Sequence, residues 1–341
     1  MAGRTGPPAS RAQPPLVARV FGELADGSFH SGEALAQSLR VSRSAVWKAA
    51  RTLRALGATL EAVRNRGYRL DNACAPLDAG EIREQIPGEA RRRIARLETV
   101  WSIGSTNSAL LARANPANGA SEVLLAEHQT AGRGRRGRSW LAPPGGAICL
   151  SLSWTFREVP ADLSALGLVI GVSVLEALKA SGAAGVALKW PNDLLHGERK
   201  LGGVLIDLRA ESEGPACVVV GIGLNVAVGE KLRQAIAASG VAPTDLRSAG
   251  LPAPARNALA AGLIGECIHG LLAFEREGLG PFIERWREAD ALHGRAVEVR
   301  TPEGSFPGIA RGIDMHGALI VETRAGVKRF ISGDVTVRPA A

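Results

Sequence analysis

Apolar residues near the start of the chain recur at helical spacing. Leu16, Val20 and Leu24 lie one turn apart, Leu35 and Leu39 follow Ser31, and Val46, Ala49, Ala50, Leu53 and Leu56 follow Ser42. Each series predicts an amphipathic helix, and Ser31 and Ser42 stand where a side-chain oxygen can cap the first free N–H groups. Gly57 ends the third helix. The period then shortens to two: Leu60 and Ala62, then Tyr68 and Leu70, flank the turn Arg64-Asn65-Arg66-Gly67, which predicts a hairpin with a basic tip. Helices and hairpin together make a winged helix-turn-helix over residues 16–72. Its recognition helix, Ser42 to Leu56, turns Arg43, Ser44, Trp47, Lys48 and Arg51 away from the apolar face.

From about residue 85 to 288 the apolar positions gather into short runs: Val123 to Ala126, Ile148 to Leu152, Val204 to Ile206 and Cys217 to Gly221. Runs of this length read as buried strands. Helical patterns over Leu163 to Ala180 and Asn257 to Glu277 lie between and after them, so an α+β or α/β domain with one central sheet is expected. Over residues 291–341 short alternating runs return at Ala296 to Val299, Ile309 to Ile313, Ala318 to Val321 and Val327 to Phe330. The turn signals Pro302-Glu303-Gly304, His316-Gly317 and Ser332-Gly333 separate them, which predicts a small SH3-like β-barrel.

Charge changes the picture of the first segment. Residues 1–72 hold 11 Lys and Arg against 5 Asp and Glu, a net +6, and the remainder holds 30 against 28, a net +2. Affinity for a polyanion is therefore concentrated in the winged helix, where Lys48, Arg51, Arg64 and Arg66 are placed to hold phosphates and Arg43, Ser44 and Trp47 to approach base edges. A helical protein-interaction module is the other reading of the same fold, and the charge argues against it. Residues 1–15, with Pro7, Pro8, Pro14 and Pro15, lack the apolar stretch of a signal peptide and read as a disordered extension.

Cys74, Cys149, Cys217 and Cys267 form no C-x-x-C pair, as expected of reduced thiols in a cytoplasmic protein. The six histidines show no metal-ligand spacing, and G-x-S-x-G is absent, so neither a metal cage nor a serine nucleophile is expected. The longest apolar stretch, Leu163 to Leu178, is broken by Gly167, Gly171 and Ser173, which predicts a buried helix and no membrane span.

Chemistry concentrates at Gly132-Arg133-Gly134-Arg135-Arg136-Gly137-Arg138. Glycines let a backbone approach a ligand, and guanidinium forks match phosphate oxygens in pairs, so the loop predicts phosphate handling in preference to an idle solvated loop. Gly132, Gly134 and Gly137 also satisfy G-x-G-x-x-G, but Pro143, Pro144, Gly145 and Gly146 follow where a dinucleotide site needs a helix. Upstream lie Ser105-Thr106-Asn107; downstream lie Lys189-Trp190-Pro191-Asn192-Asp193 and Lys200-Leu201-Gly202-Gly203.

In combination these segments resemble the biotin-protein ligases, and with the N-terminal segment they resemble the repressor-type ligases from about residue 16 to 338. The resemblance implies a class II synthetase-like mixed sheet backed by helices on one side. It also implies synthesis of biotinyl-5′-AMP from biotin and ATP, with Mg²⁺ on the pyrophosphate side, and transfer of biotin to a lysine of the carboxyl carrier domain of a biotin-dependent carboxylase. Lys200, Arg135 and Asp193 would be catalytic, Asp193 as general base or, alternatively, as a structural cap. Ser105, Thr106, Asn107, Gln129, Arg133 and Gly134, with Arg135 and Lys200, would hold biotin, although a Ser-Thr-Asn triplet is also a helix cap. Gly132, Arg133, Arg136, Arg138, Lys189 and Asn225 would hold the adenylate.

The same resemblance implies operator DNA as a partner and a homodimer in the adenylate-bound state. Four like charges would repel one another in the empty loop, so ordering on the ligand is expected. The C-terminal fold would close over ATP or dock the carrier. Two rivals share the pattern: a lipoate or octanoate ligase, which needs an apolar tunnel in place of polar contacts, and a ligand-sensing repressor without ligation.

Overall fold

The computed structural model describes residues 14–71, 74–158, 160–209, 216–237, 242–251 and 255–337; the proline-rich opening up to residue 13 lies outside them. The chain divides into two compact units, one formed by residues up to 73 apart from 56–58, the other by the rest.

The first unit holds α1 (Leu16–Glu23), α2 (Gly32–Leu39), α3 (Arg43–Ala55) and a hairpin of β1 (Leu60–Val63) and β2 (Gly67–Leu70). Both expected caps form: Ser31 Oγ accepts from Ala34 N at 3.0 Å, and Ser42 Oγ from Ala45 N at 3.2 Å. Each satisfies an N–H that helix geometry leaves without a partner. Val20, Phe21, Leu24, Leu35, Leu39, Val46, Ala49, Ala50 and Leu53 are buried together with Leu60 and Leu70, which face each other across the hairpin. Leu56, expected on the apolar face of α3, falls just beyond its end and is half-buried. Asn65 at φ 64° and Gly67 at φ 103° make the hairpin tip that carries Arg64 and Arg66.

The second unit opens with α4 (Ala79–Gln85) and α5 (Gly88–Arg92) and then builds a seven-stranded sheet. Its strands are β3 (Ile94–Ile103), β4 (Ser121–Gln129), β5 (Ala147–Thr155), β6 (Val186–Lys189), β7 (Asp193–His196), β8 (Arg199–Arg209) and β9 (Cys217–Asn225), in the order β3-β4-β5-β9-β8-β7-β6. Only β3 and β4 pair in parallel. The helices are α6 (Thr106–Leu111), α7 (Leu166–Ala180), α8 (Glu230–Ala237), α9 (Arg256–Glu277) and α10 (Gly280–Glu288).

Alternation along the strands splits the sheet into two faces. Leu150, Leu152, Trp154, Val218, Val220, Ile222 and Leu224 pack with Val169, Ile170 and Val174 of α7 and Leu259, Leu263 and Leu271 of α9. Phe156 meets Phe274 edge to face, centroids 6.3 Å apart. Each such fully buried side chain stabilises by about 1.5–3 kcal/mol, before chain entropy is subtracted. Both apolar helices, long enough to cross a bilayer, are thus core helices. The other face is not bare as expected: the short α6 sets Leu110 against Leu124 and Val219, and Trp140 lies against Ala142, Ala147 and Cys149.

The C-terminal strands β10 (Ala296–Thr301), β11 (Gly304–Ile313), β12 (Leu319–Thr323), β13 (Gly326–Phe330) and β14 (Asp334–Val337) form an antiparallel sheet in the order β13-β12-β11-β10-β14. Val297, Val299, Leu319 and Val321 are continuous with the core under α7 and α9, so this sheet shares one interior with the larger one. Trp190 Nε1 donates to Gly317 O across the junction at 3.1 Å, and Gly317 lies against Ala165, Leu168 and Leu279.

Candidate functional site

The face of the seven-stranded sheet turned away from α7 and α9 includes small and polar residues. On β9 the positions facing away from α7 and α9 include Gly221 and Gly223, and on β5 they include Cys149 and Ser151. A Cβ on Gly221 would sit 2.3 Å from Asn107 Oδ1, and one on Gly223 2.5 Å from the Trp140 ring. The two glycines therefore let the Asn107 amide and the Trp140 indole come close to the sheet.

Beside these glycines runs a chain of hydrogen bonds. Gln129 Oε1 accepts from Thr106 N at 2.8 Å and Thr106 Oγ1 at 3.2 Å; the Ser151 hydroxyl lies 2.6 Å from Thr106 Oγ1 and 2.5 Å from Asn107 Oδ1. Asn107 Nδ2 donates to Asp207 Oδ2 at 2.9 Å, and the same oxygen accepts from Arg133 Nη2 at 2.5 Å. Ser105 does cap α6, weakly, through Ser108 N at 3.4 Å, while Thr106 and Asn107 turn into the network. Within the triplet, one residue caps the helix and two enter the network. Alternating hydroxyls and amides can offer donors and acceptors to a planar polar group.

The second cluster surrounds Lys200. A β-bulge sets it up: Leu194 pairs with Gly202 but Leu195 with Lys200, so Leu201 is the extra residue. Bulges re-aim side chains, and here Lys200 Nζ reaches Asp193 Oδ1 at 2.5 Å. Asp193 opens β7 after the cis Trp190-Pro191 peptide and pairs with a cation. Lys189 faces Asp193 across the β6–β7 hairpin; burial lowers its pKa, with Asp193 opposing that shift.

The arginine loop is a small hairpin closed by Trp140 N on Gly132 O at 2.9 Å and Gly134 N on Arg138 O at 2.7 Å. Arg135–Gly137 form a 3₁₀ turn at its tip, with Arg136 at φ 54° and Gly137 at φ 73°. A non-glycine residue in the left-handed region is uncommon and marks a backbone held by its surroundings. The expectation of unbalanced charge in the empty loop needs correction, because carboxylates are already in place. Asp207 meets Arg133, and Asp334 at the start of β14 meets Arg136 at 2.9 Å and Arg138 at 2.5 Å. Arg135 is half-buried, its pKa lowered by that burial, with contacts of 3.5 Å to Asn192 Oδ1 and Gly333 O.

Asn225 has a structural partner of its own. Its amide nitrogen donates to Thr244 O at 2.9 Å and the side chain is buried, so it holds the 242–251 loop; its Oδ1 has no partner. That loop in turn bonds the Lys200 backbone, through Lys200 N to Ala242 O and Thr244 N to Lys200 O. Sequence reasoning missed Ser151, Asn192, Asp207 and Asp334. Ser151 and Asp207 interrupt apolar stretches of β5 and β8, and that interruption was their only signal. Among the described residues no group of three His, Cys, Asp or Glu could hold a metal ion.

In the first unit Arg43, Ser44, Lys48, Arg51, Arg64 and Arg66 are exposed, and Trp47 is 48% exposed. The Arg51 guanidinium lies 4.8 Å over the Trp47 ring, and that of Arg66 4.1 Å over Phe29. Stacking of this kind holds a cation in place while leaving its N–H groups to an outside acceptor.

Three family models match along the chain: "HTH domain" over residues 23–69, "Biotin/lipoate A/B protein ligase family" over 102–225, and "Biotin protein ligase C terminal domain" over 292–338. The chain is 38% identical over 322 residues to the "Bifunctional ligase/repressor BirA" of Escherichia coli (strain K12), covering 94% of this chain and 97% of that protein. It is 37% identical over 273 residues to the "Biotin--[acetyl-CoA-carboxylase] ligase" of Mycobacterium tuberculosis, covering 78% and 97%. The solved biotin protein ligase from Aquifex aeolicus in complex with biotin and ATP superimposes with a TM-score of 0.60 at 27% identity, covering 72% of this chain and 100% of that one.

Proposed function

From the premise that this chain belongs to the biotin protein ligase family, we propose that it forms biotinyl-5′-AMP from biotin and ATP, passes biotin to a carrier lysine, and represses transcription through its winged helix. The observation that carries the enzymatic half is the meeting of four separated segments through three contacts: Lys200 on Asp193, Arg135 on Asn192, and Arg133 on the Asn107 network.

In the first half-reaction the biotin carboxylate attacks the α-phosphate of ATP and pyrophosphate leaves. Two anions must approach, and Lys200, with Arg133 and Arg135, neutralises that approach where charge accumulates. Mg²⁺ would enter as the counter-ion of ATP. Arg136, Arg138 and Lys189 take the adenylate side, exchanging Asp334 for phosphate. Gln129, Thr106 and Asn107 take the ureido group. In the second half-reaction the carrier lysine loses its proton to Asp193 and attacks the mixed anhydride, and AMP leaves with its electron pair. Asn225 supports Lys200 from behind through the 242–251 loop.

The DNA-binding half rests on α3 and the wing. Arg43, Ser44 and Trp47 approach base edges, while Lys48, Arg51, Arg64 and Arg66 hold phosphates. The adenylate-bound chain dimerises, and two winged helices then require a near-palindromic operator with spaced half-sites. The protein works in the cytoplasm, where its four cysteines stay reduced. The reading is tested by incubating the protein with MgATP, a biotin carboxyl carrier domain and either biotin or lipoate, and weighing the carrier. A mass gain by biotin is expected. A gain by lipoate alone favours the rival ligase, although the polar chain from Gln129 to Asp207 does not suit a plain dithiolane acid. Biotin binding without any gain favours a sensor that has lost ligation.

A further inference from the structure

Asp207 is the residue through which the ureido-side network and the arginine loop meet. It lies on β8, where Val204 and Ile206 pack into the core under α7, and so it stands on the opposite, ligand-side face. One of its oxygens, Oδ2, accepts both from Asn107 Nδ2 at 2.9 Å and from Arg133 Nη2 at 2.5 Å.

The consequence for Asn107 follows from the symmetry of a primary amide. Its oxygen and nitrogen have nearly the same shape, so only neighbours decide which way it points. The Ser151 hydroxyl can satisfy either end. A carboxylate can face only the nitrogen, since turning Oδ1 toward it would set two acceptors together. The amide can approach the sheet this closely because residue 221 is glycine: a Cβ there would fall 2.3 Å from Asn107 Oδ1 and 2.9 Å from Nδ2. The short, charged contact from Asp207 at 2.9 Å, with the longer one from Leu205 O at 3.4 Å on the same nitrogen, therefore sets the polarity that Asn107 presents. For Arg133 the same oxygen is a resting place on the site face of the sheet, 44% of the guanidinium side chain staying exposed and free to turn.

We propose that Asp207 is a positioning residue for ligation, setting the orientation of the Asn107 amide and the resting place of the Arg133 guanidinium from one carboxylate oxygen. The inference rests on the biotin-ligase reading above. It separates two roles that one residue would otherwise blur: biotin capture through Asn107, and adenylate retention through Arg133.

The test uses the full-length protein with biotin, MgATP and a carrier domain. Asp207→Asn keeps an acceptor for Asn107 but removes the charge that holds Arg133. It is expected to leave the KM for biotin within about twofold of the parent and to speed release of biotinyl-5′-AMP about tenfold, the loss of one charge-assisted hydrogen bond. Asp207→Ala removes both contacts and is expected to raise the biotin KM about tenfold as well. On an Arg133→Ala background, Asp207→Asn should add nothing to adenylate release. Thermal unfolding of each variant accompanies the kinetics, and a split between KM and release at an unchanged melting temperature is not a folding defect. Wild-type KM and release in both Asp207 variants overturn the proposal, as does an undiminished effect of Asp207→Asn on the Arg133→Ala background. Failure of the parent protein to transfer biotin is a different result and overturns the functional reading on which this one stands.

Discussion

Two basic surfaces of similar charge density are prepared in opposite ways. On α3 and the wing, Arg43, Lys48 and Arg64 have no ion pair among the described residues, and Arg51 and Arg66 rest on aromatic faces. In the 132–138 loop every arginine already has an oxygen partner within the protein. Bare cations surround themselves with mobile ions, whose release drives binding to a polyanion. Paired cations bind a small anion by exchange, giving up an internal carboxylate for a phosphate. Exposed pairs of this kind contribute only about 0–1 kcal/mol each, so the exchange is cheap. Equal runs of arginine in a sequence thus stand for two different devices, and only the partners tell them apart.

The sharpest separation comes from Lys200, which belongs to neither surface. Lys200→Ala should slow adenylate formation about a thousandfold by removing a cation from the developing charge, while operator binding measured by fluorescence anisotropy with preformed adenylate stays unchanged. Next in size, Arg43→Ala combined with Lys48→Ala should weaken operator binding about a hundredfold. That double variant should flatten the slope of affinity against salt and leave carrier biotinylation intact. Retained binding with an unaltered slope would break the contrast, since these cations would then have no polyanion to meet. A smaller effect, about tenfold faster release of the adenylate, is expected for Arg135→Ala, read by filtration of preformed adenylate complex. The smallest belongs to Asp334→Asn. Freed of their carboxylate, Arg136 and Arg138 should take up the adenylate at most about threefold more tightly. A large change in either direction would mean that Asp334 is more than an exchangeable counter-ion.

What the sequence made legible was mostly local. Ser31 and Ser42 cap their helices as their positions required, because a cap is decided within four residues. The runs around Val123, Ile148, Val204 and Cys217 became the four central strands, since burial on both faces leaves an unbroken apolar signature. β3 escaped notice: its Arg96, Glu98, Thr99 and Ser102 interrupt the pattern, as an edge strand allows. β14 escaped for a similar reason, being four residues long at the sheet's margin. In the site, Lys200 and Asp193 were visible as a motif, and the structure joins them. Asp207 and Asp334 were not, because their meaning lies in arginines 74 and 196 to 198 positions away in the chain. The bond from Asn225 to Thr244 O was hidden for the same cause, Thr244 belonging to a segment with no pattern of its own.

The interior that Val297, Val299, Leu319 and Val321 share with α7 and α9 bears on how the chain can be dissected. A stop codon near residue 291 would strip the cover from a packed interior, leaving Leu168, Trp190 and Leu279 to face water. The shortened product would invite aggregation and chaperone capture, and its inactivity would report a breached globule. Any share of the terminal sheet in ligation has to be read instead from single changes on its outer surface, in a chain that still closes around its own core.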